Sequence, residues 1–401
     1  MKIGIIKEGK VPPDSRVPLT PEQCAFLNKK EKVEIIVQPS PNRCYEDEAY
    51  AKVGITLRDD LTDCDILMGV KEVPIDLLIP NKTYLFFSHT IKKQAYNRAL
   101  LQAILEKNIR LIDYEVLTNE QGQRLIAFGK FAGMVGTHNG VTAYGNRTGT
   151  YLLKRMKHCH DYAEAKEIYK NLHLPPLKVV LTGTGRVANG AAQVLKDMSI
   201  TRVSTEDFLD NEFSHPVFTQ LDCQGYAARK DGDVFDLNHF FQNPKAYESI
   251  FQPYTQESDL MINGIYWDNQ APAFFTKEQM RDRDFRIKVI ADVTCDIAPV
   301  SSIPSTLRAS TIADPIFGFN PHTGQEAAPH QVDVIDMMTI DNLPNELPRD
   351  ASAAFGEQFL RNILPELLNS DSEVIAKATI TKDGALTPHF EYLQDYVEGK
   401  E

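Results

Sequence analysis

No apolar run in this sequence approaches the roughly 18 residues needed to cross a bilayer, so no membrane span is expected. No basic, apolar leader precedes the first strand-like segment, "MKIGIIKEG", and a cytoplasmic protein is expected. Long basic runs are missing as well. The 55 acidic against 43 basic residues give a formal charge of −12, which argues against a nucleic-acid surface or an anionic membrane as partner and points to small molecules. The six cysteines, Cys24, Cys44, Cys64, Cys159, Cys223 and Cys295, never take C-x-x-C spacing, so reduced thiols are expected rather than disulfides or a structural metal. His158 and His160 in "HCHD" point apart on a helix at i, i+2 spacing, and no metal site is assigned. The sequence contains neither an internal repeat nor a low-complexity tract.

What is present is the composition of an ordinary globular protein, 42% apolar and 24% charged, in a chain of 401 residues. That length exceeds what one core usually serves and predicts two domains. The first 130 residues or so alternate strand-like runs ("KIGII", "KVEIIVQP", "DILMGV", "TYLFFS", "IRLIDYEVL") with helical patterns, including a long helix "KKQAYNRALLQAILEKN". Such alternation is the signature of an α/β fold with a parallel sheet wrapped by helices. From about Gly133 a helix rich in small residues reads as a link between domains. Strands at "LKVVLT", "DLMINGIYW" and "FRIKVIADVT" follow, with a polar insertion between Asp210 and Asp259, a helix over about Ala351 to Leu368 and a strand-turn-helix candidate at the end.

Gly183-Thr184-Gly185-Arg186-Val187-Ala188 fits the G-x-G-x-x-G/A pattern between a strand and a helix. The first glycine permits the tight turn, the second lets backbone approach a pyrophosphate, and the small third residue allows close packing, with the anion on the helix N-terminus. A dinucleotide-binding loop is expected here. The acid that usually follows about 20 residues later to receive the ribose is missing, because "ITRVSTED" offers Ser204 at that place. NAD and NADP stay equally open.

Four titratable residues stand at or after strand ends in the first domain, where open α/β sheets place ligands: Lys71 after "DILMGV", His89 after "TYLFFS", Arg16 in "PPDSRVPLT" and Arg124 before "LIAFG". Two bases and two arginines make an acid/base pair with anion-binding capacity. Singly, each is more often an ordinary surface or capping residue than a catalytic or binding one.

The segments "RVPLTPEQ", "GVKEVP", "YLFFSHTIKKQ", "RLIDYEVLTNEQGQRLIAFGKFAG", "LTGTGRVANGA", "INGIYWDN", "ADVTCD" and "TIDNLPNELPRDAS" together resemble the saccharopine-forming enzymes. These are the lysine-forming saccharopine dehydrogenases and the lysine 2-oxoglutarate reductase domain of the bifunctional enzyme, related to alanine dehydrogenase and the transhydrogenase α-subunit. The resemblance implies two Rossmann-like, doubly wound parallel-sheet domains with a cleft between them. Residues 1–135 with 349–401 would form the substrate domain, and 136–348 the dinucleotide domain. It implies Lys71 and His89 as the acid/base pair, and Arg16, Arg124 and Phe128 around the substrate. For the cofactor, NAD or NADP, it implies Gly183, Thr184, Gly185, Tyr266, Val293, Ile340, Asp341 and Leu343. The implied reaction joins lysine to 2-oxoglutarate as saccharopine, or the reverse. The chain ends at Glu401 without the second half of the bifunctional enzyme, so a separate saccharopine-processing enzyme is expected. An alanine dehydrogenase-like or opine-type reaction, and a nucleotide-binding regulator without activity, remain alternatives on the same scaffold.

Overall fold

The computed structural model describes residues 1–30 and 33–400 and divides into two units, Met1–Phe128 with the chain from Pro348 onward, and Gly129–Leu347. In the first unit, strands Arg110–Asp113, Thr83–Phe86, Ile66–Met68, Lys2–Ile5, Glu34–Val37 and Thr56–Leu57 lie side by side in that order, all parallel. The late segment Thr379–Lys382 pairs antiparallel with Arg110–Asp113, and Ala385–Leu386 turns back on it. The C-terminal segment therefore completes the first sheet, which is mixed rather than purely parallel.

Successive strands leave Lys2–Ile5 on opposite sides, with Glu34–Val37 on one and Ile66–Met68 on the other. A ligand crevice opens at such a switch point, beyond the C-terminal strand ends. The interior strands are short and mostly buried ("ILM" completely), as strands covered by helices on both faces must be. The long helix expected near residue 100 is interrupted: a single 3₁₀ turn, Ala95–Asn97, precedes the α-helix Arg98–Glu106. The helix expected from Ala351 runs as Pro348–Gln358, a π-helical stretch Phe359–Ile363 and Leu364–Leu368.

The second unit repeats the plan. Strands Ile335–Met338, Val289–Asp292, Leu260–Asn263, Lys178–Thr182, Val217–Leu221 and Thr201–Arg202 are parallel in that order. Ile316–Asn320 and Gln325–Ala327 add an antiparallel edge. Two sequence expectations are corrected here. The region 210–259 is not a mere insertion, because it contains Val217–Leu221, the immediate neighbour of the glycine-loop strand. Its short "VFTQL", with two polar residues in the middle and polar turns on both sides, hid an interior strand.

The small-residue helix is the second correction: it spans Gly129–Thr148 and belongs wholly to the second unit, so the division falls at 128/129 rather than 135/136. It packs against the helix Arg186–Asp197 with backbones almost touching. A Cβ on Gly133 would come within 1.8 Å of the Val187 carbonyl oxygen. Gly133→Ala gains about 1 kcal/mol of helix propensity but forces two backbones apart, at about 3 kcal/mol for overpacking. A net loss of about 2 kcal/mol is expected, measurable as a lower urea midpoint for the second unit.

Candidate active site

Four adjacent parallel strands of the first unit deliver the polar groups. Beyond Lys2–Ile5 come Glu8, Asp14 and Arg16; beyond Ile66–Met68 come Lys71 and Glu72; beyond Thr83–Phe86 comes His89; beyond Arg110–Asp113 comes Glu115. Gly69 and Val70 stay bonded to the neighbouring strand through Gly69 N–H to the Leu85 oxygen and Phe87 N–H to the Val70 oxygen. Lys71 is thus the first residue released from the sheet.

Glu8, which sequence reasoning missed, fixes that point. Its carboxylate accepts from the backbone N–H of Val70 (2.6 Å) and of Lys71 (2.9 Å). Burial raises Glu8 to about 7 against the pull of those N–H groups. Burial also lowers Lys71 to about 8, helped by the positive charges of Arg16 and Lys10. An ammonium with an ordinary value near 10.4 becomes a group that exchanges protons close to neutrality.

His89 stands in the left-handed region at φ +54°, a sparsely populated conformation for a residue with a side chain. The turn is held by buried Asp113, which accepts from Ser88 N–H (2.9 Å) and Ser88 Oγ (2.5 Å). The ring stacks near Phe87, with centroids 6.5 Å apart. Its Nδ1 lies 2.5 Å from Oε1 of Glu72. Burial opposes the ionisation of Glu72, yet the hydrogen bond and charge of His89, with Lys10, hold it at about 2. An ionised Glu72 keeps the proton on Nδ1 and leaves Nε2 as the basic atom. Glu72 thus joins Lys71, its neighbour in the chain, to His89, its partner in space.

Arg16 is buried and gripped by Asp14, with Nε to Oδ1 at 2.9 Å and Nη2 to Oδ2 at 2.6 Å, while its guanidinium lies 4.3 Å from the centroid of the Phe128 ring. Phe128 in turn stacks on Phe355 at 4.5 Å. This bidentate, ring-backed setting holds the guanidinium plane in one orientation. Arg124 differs: its side chain is 47% exposed and donates to Glu115 at 2.7 Å. Lys71, His89, Arg16 and Phe128 belong to one cluster with Glu8, Asp14 and Glu72, and Arg124 stands at its rim through Glu115.

In the second unit, Gly183, Thr184, Gly185, Arg186 and Val187 form the turn from Lys178–Thr182 into the helix Arg186–Asp197. Gly183 has φ +99°, and a Cβ there would come 2.7 Å from the Gly264 oxygen; a Cβ on Gly185 would meet nothing within 4 Å. The turn is closed on its sheet side and open on the helix N-terminal side, which fits a pyrophosphate. Tyr266, Val293, Ile340 and Asp341 follow the C-terminal ends of three neighbouring strands, and Leu343 begins the next 3₁₀ turn. Tyr266 and Asp341 are exposed, whereas Ile340 and Leu343 are 1% and 2% exposed, so their side chains serve the core.

Asn263 and Asp292, which the sequence did not single out, tie these ends together. Asn263 accepts from Thr182 Oγ1 (2.7 Å) and donates to Asp292 (3.0 Å). Ser204 does not join the site. It follows the edge strand Thr201–Arg202, which Val217–Leu221 separates from the glycine-loop strand, and its hydroxyl caps the helix Thr205–Asp210.

Comparison with known proteins bears on both units. Residues 4–135 match the family "Alanine dehydrogenase/PNT, N-terminal domain". The chain is 31% identical over 441 residues to "Alpha-aminoadipic semialdehyde synthase" of Arabidopsis thaliana, covering 98% of this chain and 41% of that protein, so it spans less than half the length of this relative. It is 26% identical to "Saccharopine dehydrogenase [NAD(+), L-lysine-forming]" of Emericella nidulans, covering 90% and 91% of the two chains. Among solved structures, an L-alanine dehydrogenase superposes with a TM-score of 0.66 at 16% identity, over 99% of this chain and 100% of that one, and shares the fold. The chain is thus similar along nearly its whole length to a lysine-forming saccharopine dehydrogenase and to part of an α-aminoadipic semialdehyde synthase, and its residues 4–135 match an alanine dehydrogenase/PNT N-terminal domain.

Proposed function

We propose that this chain is an NAD(P)-dependent oxidoreductase acting on CH–NH bonds, which interconverts saccharopine with lysine plus 2-oxoglutarate. The observation that supports this reading is the pairing of a buried amine, Lys71, brought down to about 8, with His89, whose Nδ1 is held by the carboxylate of the adjacent residue Glu72. In the direction of synthesis, the ε-nitrogen of lysine attacks the keto carbon of 2-oxoglutarate, and the adduct loses water to give an imine. Gly183–Val187 would hold a dinucleotide, and the chemistry that it would supply there is hydride transfer to the imine carbon.

Lys71 in its neutral form takes the proton that the attacking nitrogen must shed, and His89, in the imidazolium form in which Nε2 also carries a proton, gives that proton to the departing hydroxyl. Arg16, immobilised by Asp14 and Phe128, offers a fixed guanidinium plane for a substrate carboxylate. Arg124 on the rim, paired with Glu115, is the second candidate for a carboxylate. Tyr266, Val293 and Asp341, with the backbone of Ile340 and Leu343, would border the dinucleotide from the ends of the neighbouring strands.

The test follows nicotinamide absorbance with lysine plus 2-oxoglutarate, and separately with pyruvate plus ammonia. Oxidation of the reduced cofactor only with the first pair is expected. Turnover only with the second would replace this reading by an alanine dehydrogenase reaction. His89→Gln should lower kcat by about 10²-fold with dinucleotide affinity unchanged, the usual scale for a lost acid or base.

A further inference from the structure

The first unit holds a cavity of about 460 Å³ at the strand ends opposite the acid/base cluster. Ile66, Thr83 and Arg110 are cross-strand partners at the starts of three adjacent parallel strands, so their side chains rise from one face of the sheet, and Ile112 shares that face. They form the floor. The roof comes from the C-terminal segment, where Leu367 and Ile375 stand on the helices Leu364–Leu368 and Glu373–Ala378.

Arg110 sets this cavity apart. A guanidinium brings five N–H donors, yet its side chain makes one long hydrogen bond, from Nη2 to Thr379 Oγ1 at 3.5 Å, and its buried Nε has no partner. Among the described residues no carboxylate forms an ion pair with it, whereas Arg16 has Asp14 at 2.6 Å. Burial pulls its pKa down from the ordinary value, opposed by the charge of Asp383 alone. The lining residues that could have satisfied it are committed elsewhere. Thr379 Oγ1 donates to the Ile375 oxygen at 2.6 Å, and the carboxylate of Glu366 accepts from Ser372 Oγ at 2.6 Å. Lys382 adds a second cation at the exposed side. Half-buried positive charge beside apolar walls calls for an anion with an apolar body.

We propose that this cavity is a second ligand site, for a carboxylate with a short aliphatic chain whose head group takes the free donors of Arg110. The chain would lie along Ile66, Ile112, Leu367 and Ile375. The same three strands end near Lys71, His89 and Asp113, and three steps of roughly 3.3 Å each put the site about 10 Å behind that cluster. It is therefore separate from the place of Arg16, and the inference does not depend on the reaction.

The experiment is calorimetric titration of the full chain at neutral pH with hexanoate and, separately, with inorganic phosphate. Hexanoate should bind at one site, and phosphate at least about 10-fold more weakly, because it gains nothing from the apolar walls. Arg110→Met should weaken hexanoate on the order of 10-fold. It removes a buried charge that has no partner, so its melting temperature should not fall below that of wild type. Lys382→Met, on the exposed side, should cost about threefold. Asp14→Leu with Arg16→Met, at the opposite strand ends, should leave hexanoate binding unchanged. No binding of hexanoate, phosphate binding equally well, or an affinity untouched by both Arg110→Met and Lys382→Met would overturn the proposal. Loss of binding in the Asp14/Arg16 double variant would also overturn it, by placing the carboxylate in the active site.

Discussion

Lys71→Met is expected to slow turnover by about 10²- to 10⁴-fold and, at the same time, to make the first unit more stable. The two effects have one cause. Burial, Arg16 and Lys10 bring Lys71 from its ordinary 10.5 down to about 8, so at pH 7 the fold carries an ammonium that water would hold better. The full difference is worth about 3 kcal/mol, and ~2 kcal/mol after discounting for the solvent that still reaches this partly exposed side chain.

The sign follows from proton counting. Between about 8 and 10.5 the unfolded chain binds the proton that the folded one has released, so wild-type stability rises with pH through that window. The advantage of Lys71→Met is complete below pH 8 and gone above 10.5. Urea unfolding at a series of pH values checks it. A variant less stable than wild type at pH 7 would mean that Lys71 contributes packing rather than a poised amine.

The second large effect is expected at Asp14. Asp14→Ala removes the bidentate partner of a guanidinium that is only 3% exposed, and breaking a buried pair from one side costs about 3–5 kcal/mol. Replacing both members with apolar residues, Asp14→Leu with Arg16→Met, should recover most of that stability, because neither charge of the pair is then left buried without the other. It should not recover the Michaelis constant for the oxo acid, which depends on the guanidinium itself. Recovery of both would take Arg16 out of the substrate site.

Much of this was legible in the sequence because it depends on local pattern. Strand-like runs ending at Lys71 and His89 placed both bases at C-terminal strand ends, and Gly183-x-Gly185, read with the strand before it and the helix after it, marked the turn that the structure shows there. What escaped depends on which strands become neighbours. Glu8 in "KEGK" looks like one more surface acid until the parallel pairing of Lys2–Ile5 with Ile66–Met68 puts its carboxylate under the Lys71 amide. Glu72, beside a lysine whose pKa must fall, made chemical sense only once its carboxylate was seen to face His89. Ser204 was chosen by counting residues from the glycines, a count that fails when a strand goes to the edge and the next one comes back beside the loop. Sequence distance is a poor guide wherever the order of strands in space departs from their order in the chain.

The central claim, that this site joins the side-chain nitrogen of lysine to 2-oxoglutarate, is tested most directly by identifying the product by mass. Lysine labelled with ¹⁵N at the ε-position is incubated with 2-oxoglutarate and reduced nicotinamide cofactor, using wild type and Lys71→Met. Labelled saccharopine is expected from wild type and on the order of 10² less from the variant. Consumption of the cofactor with no secondary amine formed, or equal yields from both proteins, would contradict it.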